Sequence, residues 1–309
     1  MIIRVACGVG LFLGSLAVGW WLGRAGALTE ARAARLVRCI VRGPSPLVLC
    51  LSIWRMDLRH LAPWLLPLIG TLTASATLLP ALVYARRAAL SPPQTGSFLT
   101  CAVFSNVGYF GAFTAFAFFG EAGYALCLLY FMFFSPCFYT LGFGLAARYG
   151  HRRSPASMQA GMSSELRLYP LIGMVVGTGL SLLRIPRPLP LEWINHVLIP
   201  ADTALYLIAI GSQLTWVSPR PWLRHGLAMS GIKFLYTPLV AWALVERFGV
   251  HGLPRQIVLL ESAAPVAVSP LVLPLLFGLD RRLSMALWLL TTLLAVPVVI
   301  ALGPLLARL

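Results

Sequence analysis

Long apolar stretches with almost no charge fill most of this 309-residue chain. A helix needs about 20 mainly apolar residues to cross the hydrocarbon core of a bilayer, and about ten stretches are long enough when the chain is read from charge to charge. Only 11% of the residues are charged, whereas soluble domains carry about 25%. Because too few polar residues remain to cover a soluble surface, the sequence predicts an all-α membrane protein in a lipid bilayer.

The predicted spans form two groups of five, separated by a polar stretch. We divide the chain into a first five-helix half, residues 1–150, a loop, residues 151–167, and a second five-helix half, residues 168–309. The approximate span bounds are 4–23, 34–53, 61–85, 95–119, 122–147, 168–184, 191–214, 223–248, 255–277 and 283–306.

Arginines are more frequent in the loops that follow odd-numbered spans. Short cytoplasmic loops usually carry the excess of positive charge. The distribution therefore predicts a multi-pass protein of the cell membrane, with the 151–167 loop in the cytoplasm and both termini outside.

Five spans in each half would give the two halves opposite orientations, so homologous halves would be inverted repeats. Weak internal similarity favours this interpretation: Phe119-Gly120 precedes Glu121, and Phe277-Gly278 precedes Asp280. Spans one and six also share GxxxG spacing, which lets helices approach closely, at Gly10/Gly14, Gly19/Gly23 and Gly173/Gly177.

Several classes of function are not expected. The net charge of +15 comes from arginines between apolar runs, not from a basic face with interleaved aromatic residues, so we expect no nucleic-acid partner. The five histidines lack metal-binding spacing, and neither a Walker A loop nor a GxSxG motif occurs. We expect no metal, no cofactor and no enzymatic activity, and transport across the membrane becomes the leading hypothesis.

The fourth span contains residues that interrupt a helix. Asn106, Gly108 and Gly111 lie within the run Ser105–Gly111. The ninth span has Pro265 before Ser269, followed by a second proline; each proline lacks an amide donor and clashes with the preceding turn.

Corresponding interruptions in two halves indicate a transporter binding site. We expect helices four and nine to be broken and to cross at mid-membrane, with Asn106, Gly108, Gly111, Pro265 and Ser269 at the substrate. Half-helix N-termini there would favour an anion. Ordinary kinks in two continuous helices are the alternative interpretation.

Three of the charged residues within predicted spans are candidates for a functional role. Lys233 would pair with a carboxylate, extend its ammonium to the interface, or contact an anionic substrate, because an unpaired ammonium inside a span is unfavourable. Glu261 would be a proton carrier, a partner for Lys233, or a residue near the membrane edge. Asp202 is either a second ion-coupling residue or, after Pro200, a favourable carboxylate at a helix start.

At these residues the sequence resembles the auxin efflux carrier family, which includes bacterial permeases and plant PIN-type carriers. The resemblance covers most of the chain. The matching motifs are Leu259–Pro270, Phe277–Asp280, Ser105–Gly111, Leu207–Leu214 and Gly231–Pro238.

The resemblance implies ten helices in two inverted five-helix repeats. Spans one, two, six and seven would form a scaffold that often dimerises, and the other spans a moving transport domain with its substrate site where spans four and nine cross. Known substrates of the family are organic anions, including dicarboxylates and auxin. The chain has Ala112 where the family commonly has proline and Ser269 where it often has asparagine, so the substrate and coupling ion stay open.

We therefore expect a secondary-active permease that carries small organic anions, such as mono- or dicarboxylates, by alternating access. One alternative is a sodium-coupled symporter similar to the bile-acid and arsenite carriers, with oxygen ligands from Asn106, Glu261, Ser262 and Ser269. A non-transporting membrane sensor is the other alternative.

Overall fold

The computed structural model describes residues 2–151, 164–214 and 217–306, and every regular element in these ranges is helical. Most of the predicted loop 151–167 lies outside the described residues. The α-helices are α1 (Ile2–Arg24), α2 (Glu30–Arg42), α3 (Pro44–Trp54), α4 (Leu61–Ala76), α5 (Leu78–Arg87), α6 (Pro92–Val103), α7 (Ala112–Tyr130), α8 (Phe134–Cys137), α9 (Phe143–Tyr149), α10 (Ser164–Leu182), α11 (Leu189–Gly211), α12 (Leu223–Gly231), α13 (Thr237–Arg247), α14 (Gly252–Ser262), α15 (Leu273–Phe277) and α16 (Arg281–Leu306).

Short tighter or wider turns join several of these helices. The wider, π-helical turns are Val107–Gly111, Phe138–Gly142 and Ile232–Tyr236. The tighter, 3₁₀ turns are Arg220–Trp222 and Ser269–Val272. Such departures from α geometry inside helices often accompany functional sites.

Six helical segments of the described chain are long and apolar enough to cross a membrane. They are Glu30–Trp54, Pro63–Arg87, Val107–Tyr149, Leu189–Gly211, Arg220–Arg247 and Arg281–Gly303. Large apolar side chains also point outward: Trp21, Leu189 and Trp193 are 63%, 75% and 77% exposed. Many exposed apolar side chains of this size are unfavourable in water, so the described chain is that of an all-helical, multi-pass membrane protein.

The chain packs into two compact units, each assembled from three separate stretches. The first unit contains Met1–Pro63, Ala112–Leu128 and Gln159–Thr215. The second contains Trp64–Gly111, Leu129–Met158 and Trp216–Leu309. This division follows packing, whereas the predicted halves, 1–150 and 168–309, follow the order of the spans along the chain.

In the first unit, α1 packs against α11 through two glycines. A Cβ atom on Gly19 would lie 2.2 Å from the carbonyl oxygen of Ile208, and one on Gly23 would lie 2.5 Å from that of Ser212. Both distances are far below van der Waals contact, so only glycine permits this approach of the two backbones.

The contact between α10 and α3 has the same form. A Cβ atom on Gly173 would lie 2.2 Å from the carbonyl oxygen of Pro46, and one on Gly177 would lie 2.5 Å from that of Cys50. Two GxxxG pairs thus make two contacts with the same spacing and the same distances within one unit.

Candidate functional site

The helix that begins at Pro92 stops at Val103, well before the next helix starts. Phe104 has the extended backbone angles φ −96° and ψ 109°. The chain then forms the π-helical turn Val107–Gly111. Serine and asparagine side chains compete with the helical backbone for hydrogen bonds, which favours an interruption at Ser105 and Asn106.

A second interruption comes after α14, which ends at Ser262. The chain becomes helical again only in the 3₁₀ turn Ser269–Val272. Pro265 has no amide hydrogen and restricts the residue before it to extended conformations, so an α-helix cannot pass through this point without losing a hydrogen bond.

The two interrupted stretches pair with each other in the second unit. Ser105 and Val266 form an isolated antiparallel bridge. The amide of Asn106 donates to the carbonyl of Pro265 at 2.7 Å, and the amide of Ala267 donates to the carbonyl of Phe104 at 2.9 Å. Backbone groups that leave a helix inside an apolar medium need new partners, and here each stretch supplies them to the other.

Lys233 binds the first interrupted stretch through its ammonium group. Its side chain is fully buried, and Nζ donates to the carbonyl of Ala102 at 2.6 Å and to Oγ of Ser105 at 2.8 Å. Its burial rules out the predicted extension to the interface, and no described ion pair involves it. Its acceptors belong to the broken helix, so the ammonium lies where the two interrupted stretches pair.

Glu261 lies on the other side of the crossing, in the last turn of α14, and is fully buried. A Cβ atom on Gly111 would lie 2.1 Å from its Oε2, so the carboxylate packs directly against the backbone of the first stretch. α14 therefore brings Glu261 to the interruption and not to a loop, and its position relative to the membrane edge stays a prediction.

Asn106 keeps one polar group without a partner among the described residues. Its Oδ1 accepts from the amide of Phe110 at 3.4 Å, whereas the buried Nδ2 has no hydrogen bond. Gly108, in the π turn, and Ser269, at the start of the second 3₁₀ turn, are both half-buried. A buried, unsatisfied amide donor is unfavourable unless something binds it.

A small cavity of about 50 Å³ adjoins the crossing, and its lining belongs entirely to the second unit. Its polar lining consists of Thr71, Thr73, Ser75, Ser105, Tyr130, Thr237, Glu261 and Ser262. The hydroxyl of Thr73 is buried without a hydrogen-bond partner among the described residues. Hydroxyls and a carboxylate therefore face one small cavity beside the two interruptions.

Asp202, the second predicted ion-coupling residue, belongs to the first unit. The hydroxyl of Ser45 donates to its Oδ1 at 2.8 Å. The predicted helix start at Pro200 is wrong: α11 begins at Leu189 and runs through Pro200. Pro190 occupies the first turn, where its missing amide hydrogen costs nothing, and one lost bond at Pro200 does not end a long, packed helix.

Sequence reasoning missed a second polar centre around Glu121, in the first unit. Both carboxylate oxygens accept hydrogen bonds from Arg187, through Nη1 to Oε1 and through Nη2 to Oε2 at 2.8 Å. Arg55 approaches Oε2 at 3.3 Å and also pairs with Glu192 at 2.6 Å. Asn195 donates to Glu121 and to Oγ of Ser52.

This Glu121 cluster has the geometry of an ion-pair network. Glu121, Glu192 and His196 offer ligand atoms within 4.8 Å of one another, but Arg55 and Arg187 already bring two positive charges to the two carboxylates. A buried carboxylate with two arginine partners is compensated without a cation. Only the acidic residue after Phe119-Gly120 hinted at this centre in the sequence.

Comparison with known proteins agrees with the membrane fold. No protein-family model matches the chain. A protein of Methanothermobacter thermautotrophicus named "Uncharacterized transporter" is 25% identical over 283 residues, 90% of each chain. An uncharacterized transporter of Methanocaldococcus jannaschii is 30% identical over 93 residues, 30% of each chain. The chain is thus an all-helical membrane protein whose relatives bear the name of transporters.

Proposed function

We propose that this protein is a secondary-active transporter that carries small organic anions, such as mono- or dicarboxylates, across the cell membrane by alternating access. The observation that carries the proposal is the pairing of two interrupted helices next to a polar cavity. Interrupted helices within a membrane are tolerated where they line a binding site. The names of the two relatives support the same class of function.

The proposed fold is ten spans in two inverted five-helix repeats, residues 1–150 and 168–309. Two observations support it. Gly19 and Gly23 meet a partner helix in the same way as Gly173 and Gly177. The bridge between Ser105 and Val266 joins the two interruptions by reciprocal hydrogen bonds, as a two-fold axis between repeats requires.

Residues of both interruptions would bind the anion. Asn106 offers a free Nδ2 donor, Lys233 brings a positive charge to Ser105, and Gly108 and Gly111 allow close approach to the backbone. Pro265 and Ser269 shape the second stretch. An anion next to a charged Glu261 would be repelled, so we propose that Glu261 binds a proton with the substrate.

The division into two units supports the proposed cycle, in which the second unit bears the cavity and opens it to either side. The first unit would act as the scaffold. In this proposal the 151–167 loop lies in the cytoplasm, both termini lie outside, and the protein forms a homodimer. Asp202, bonded to Ser45 in the first unit, would affect the cycle through the scaffold and not through the substrate.

The test is uptake of labelled malonate, malate and an auxin-like acid into proteoliposomes. We expect saturable flux of at least one carboxylate, and Asn106→Ala should lower kcat/KM about tenfold because one hydrogen bond to a charged group is lost. Gln213→Ala, which changes an exposed amide, should leave the flux unchanged. No saturable flux of any carboxylate would contradict the proposal.

A sodium-coupled symporter is the second candidate, because Thr71, Thr73, Ser105 and Glu261 present oxygen atoms to one cavity. Replacing sodium by choline separates the two: flux that stops without sodium identifies the symporter, and flux that follows an imposed proton gradient identifies the proton-coupled carrier. Binding of a carboxylate without any flux would indicate a membrane sensor.

A further inference from the structure

A separate groove lies on the second unit, between α5 and the chain formed by α12 and the π turn Ile232–Tyr236. We call it the α5–α12 groove. It has a volume of about 370 Å³ and is open on one side, and its walls are mainly apolar, with Pro80 and Val83 on one side and Ala228 and Ile232 on the other.

The floor of the groove is open at Gly231. A Cβ atom at this residue would meet nothing within 4 Å, so the absence of a side chain leaves space that no neighbour fills. The rims are exposed and apolar, since Leu79, Leu227 and Leu235 are all more than 60% exposed. A long hydrocarbon chain matches a narrow, apolar and outward-facing space of this kind.

One end of the groove is strongly basic. Arg87 lines it, and Arg86 precedes it in the last turn of α5. The backbone of Arg224 lies next to Tyr84 in the groove wall, because the hydroxyl of Tyr84 donates to the carbonyl of Arg224 at 3.4 Å and bonds with Nδ1 of His225 at 2.9 Å.

These three arginines have no acidic partner among the described residues. All are exposed, and the described ion pairs, which use Arg55, Arg59, Arg187 and Arg255, do not include them. Uncompensated guanidinium groups at a membrane edge attract phosphate groups of anionic lipids.

We propose that the α5–α12 groove binds one anionic phospholipid, with an acyl chain between α5 and α12 and the phosphate group on Arg87 and Arg224. Charge complementarity selects the occupant: the apolar walls alone would accept any acyl chain, whereas three arginines without acidic partners favour a lipid with net negative charge over a zwitterionic one. The site is separate from the cavity at Glu261 and does not depend on the proposed transport.

Native mass spectrometry of the detergent-purified protein, with dioleoyl phosphatidylglycerol or dioleoyl phosphatidylcholine added, tests the proposal. We expect one phosphatidylglycerol to bind more tightly than the rest and more tightly than phosphatidylcholine. The variant that changes both arginines, Arg87→Gln with Arg224→Gln, should bind the lipid on the order of ten- to thirtyfold more weakly. Each positive charge near an anionic lipid surface strengthens binding by several-fold, and the variant loses two. The matched control changes Arg35 and Arg38, two exposed arginines of α2, to glutamine.

Gly231→Leu tests the acyl part, because its Cβ atom would meet nothing within 4 Å and its side chain would occupy the groove. Gly144→Leu is its control, since a Cβ there also meets nothing within 4 Å. The first variant should lose the tight lipid and the second should keep it, with melting temperatures showing that both fold.

Three results would overturn the proposal. They are equal binding of the two lipids, tight binding that survives Gly231→Leu, and displacement of the lipid by glycerol phosphate at equal concentration, which would make the acyl chain irrelevant.

Discussion

Two Phe-Gly junctions of the chain, Phe119-Gly120 and Phe277-Gly278, are followed closely by an acidic residue, but the role of that residue differs between them. At Phe119-Gly120, the next residue, Glu121, is buried and held by Arg187 and Asn195. At Phe277-Gly278, the acidic residue Asp280 is half-buried and accepts a bond from the amide of Leu283 at 2.9 Å. One carboxylate belongs to an ion-pair network, and the other caps a helix.

The glycines differ as well. Gly120 has φ 66° and ψ −155°, a conformation available almost only to glycine. Gly278 has φ 69° and ψ 39°, the left-handed conformation that commonly ends a helix. Similar residues in the two regions therefore have different structural roles. Substitutions at the two junctions should change the free energy of unfolding by different amounts.

The largest expected effect is from Glu121→Gln, which leaves the buried Arg187 without a negative partner. Breaking a buried pair in this way costs about 3–5 kcal/mol, so the melting temperature of the purified protein should fall sharply. The double variant with Arg187→Gln should recover part of the loss, because no charge is then left unpaired. A melting temperature unchanged in the single variant would show that the pair is not needed.

Gly120→Ala should rank second, with a loss of about 1–3 kcal/mol from backbone strain alone. A Cβ atom there meets nothing within 4 Å, so steric contact does not contribute. Gly278→Asn is the comparison, and it should cost less because asparagine tolerates the left-handed region. Equal melting temperatures for the two variants would remove the distinction between the junctions.

Asp280→Ala should cost about 1 kcal/mol, the usual effect of losing a helix cap. Asp280→Asn keeps an oxygen that accepts from Leu283, so it should restore most of the stability. If Asp280→Asn were as unstable as the alanine variant, the charge and not the cap would be the important feature.

The smallest effect should come from Glu192→Gln, at the rim of the Glu121 cluster. Its partner Arg55 is 43% exposed and Glu192 itself 38% exposed, so water screens the pair to about 0–1 kcal/mol. A loss comparable to that of Glu121→Gln would mean that the cluster acts as one unit and not as a buried core with a solvated edge.

Local chemistry explains which features the sequence could predict. Apolar runs without charges indicated helices in a membrane, since a helix satisfies its own backbone there. Pro265 indicated the second interruption because proline removes a donor wherever it stands. The glycines of GxxxG indicated close helix packing, and Gly19 and Gly173 lie at such contacts.

Features that depend on distant partners could not be predicted. Lys233 bonds to Ala102, 131 residues away, and no local pattern specifies a carbonyl as its acceptor. Arg187 and Glu121 also come from separate stretches. Pro200 gave a wrong prediction for the same reason. The local rule favours a helix start there, but the packed helix α11 continues through it.

The bridge at Ser105 and Val266 has a consequence for ancestry. Each strand gives one amide and one carbonyl and receives the same from the other, so the contact works equally well between two copies of a single short chain. Under the proposed inverted repeat, a half-length ancestor forms this joint with a second copy of itself, and Asn106 on one stretch and Ala267 on the other mark a position where the two copies diverged.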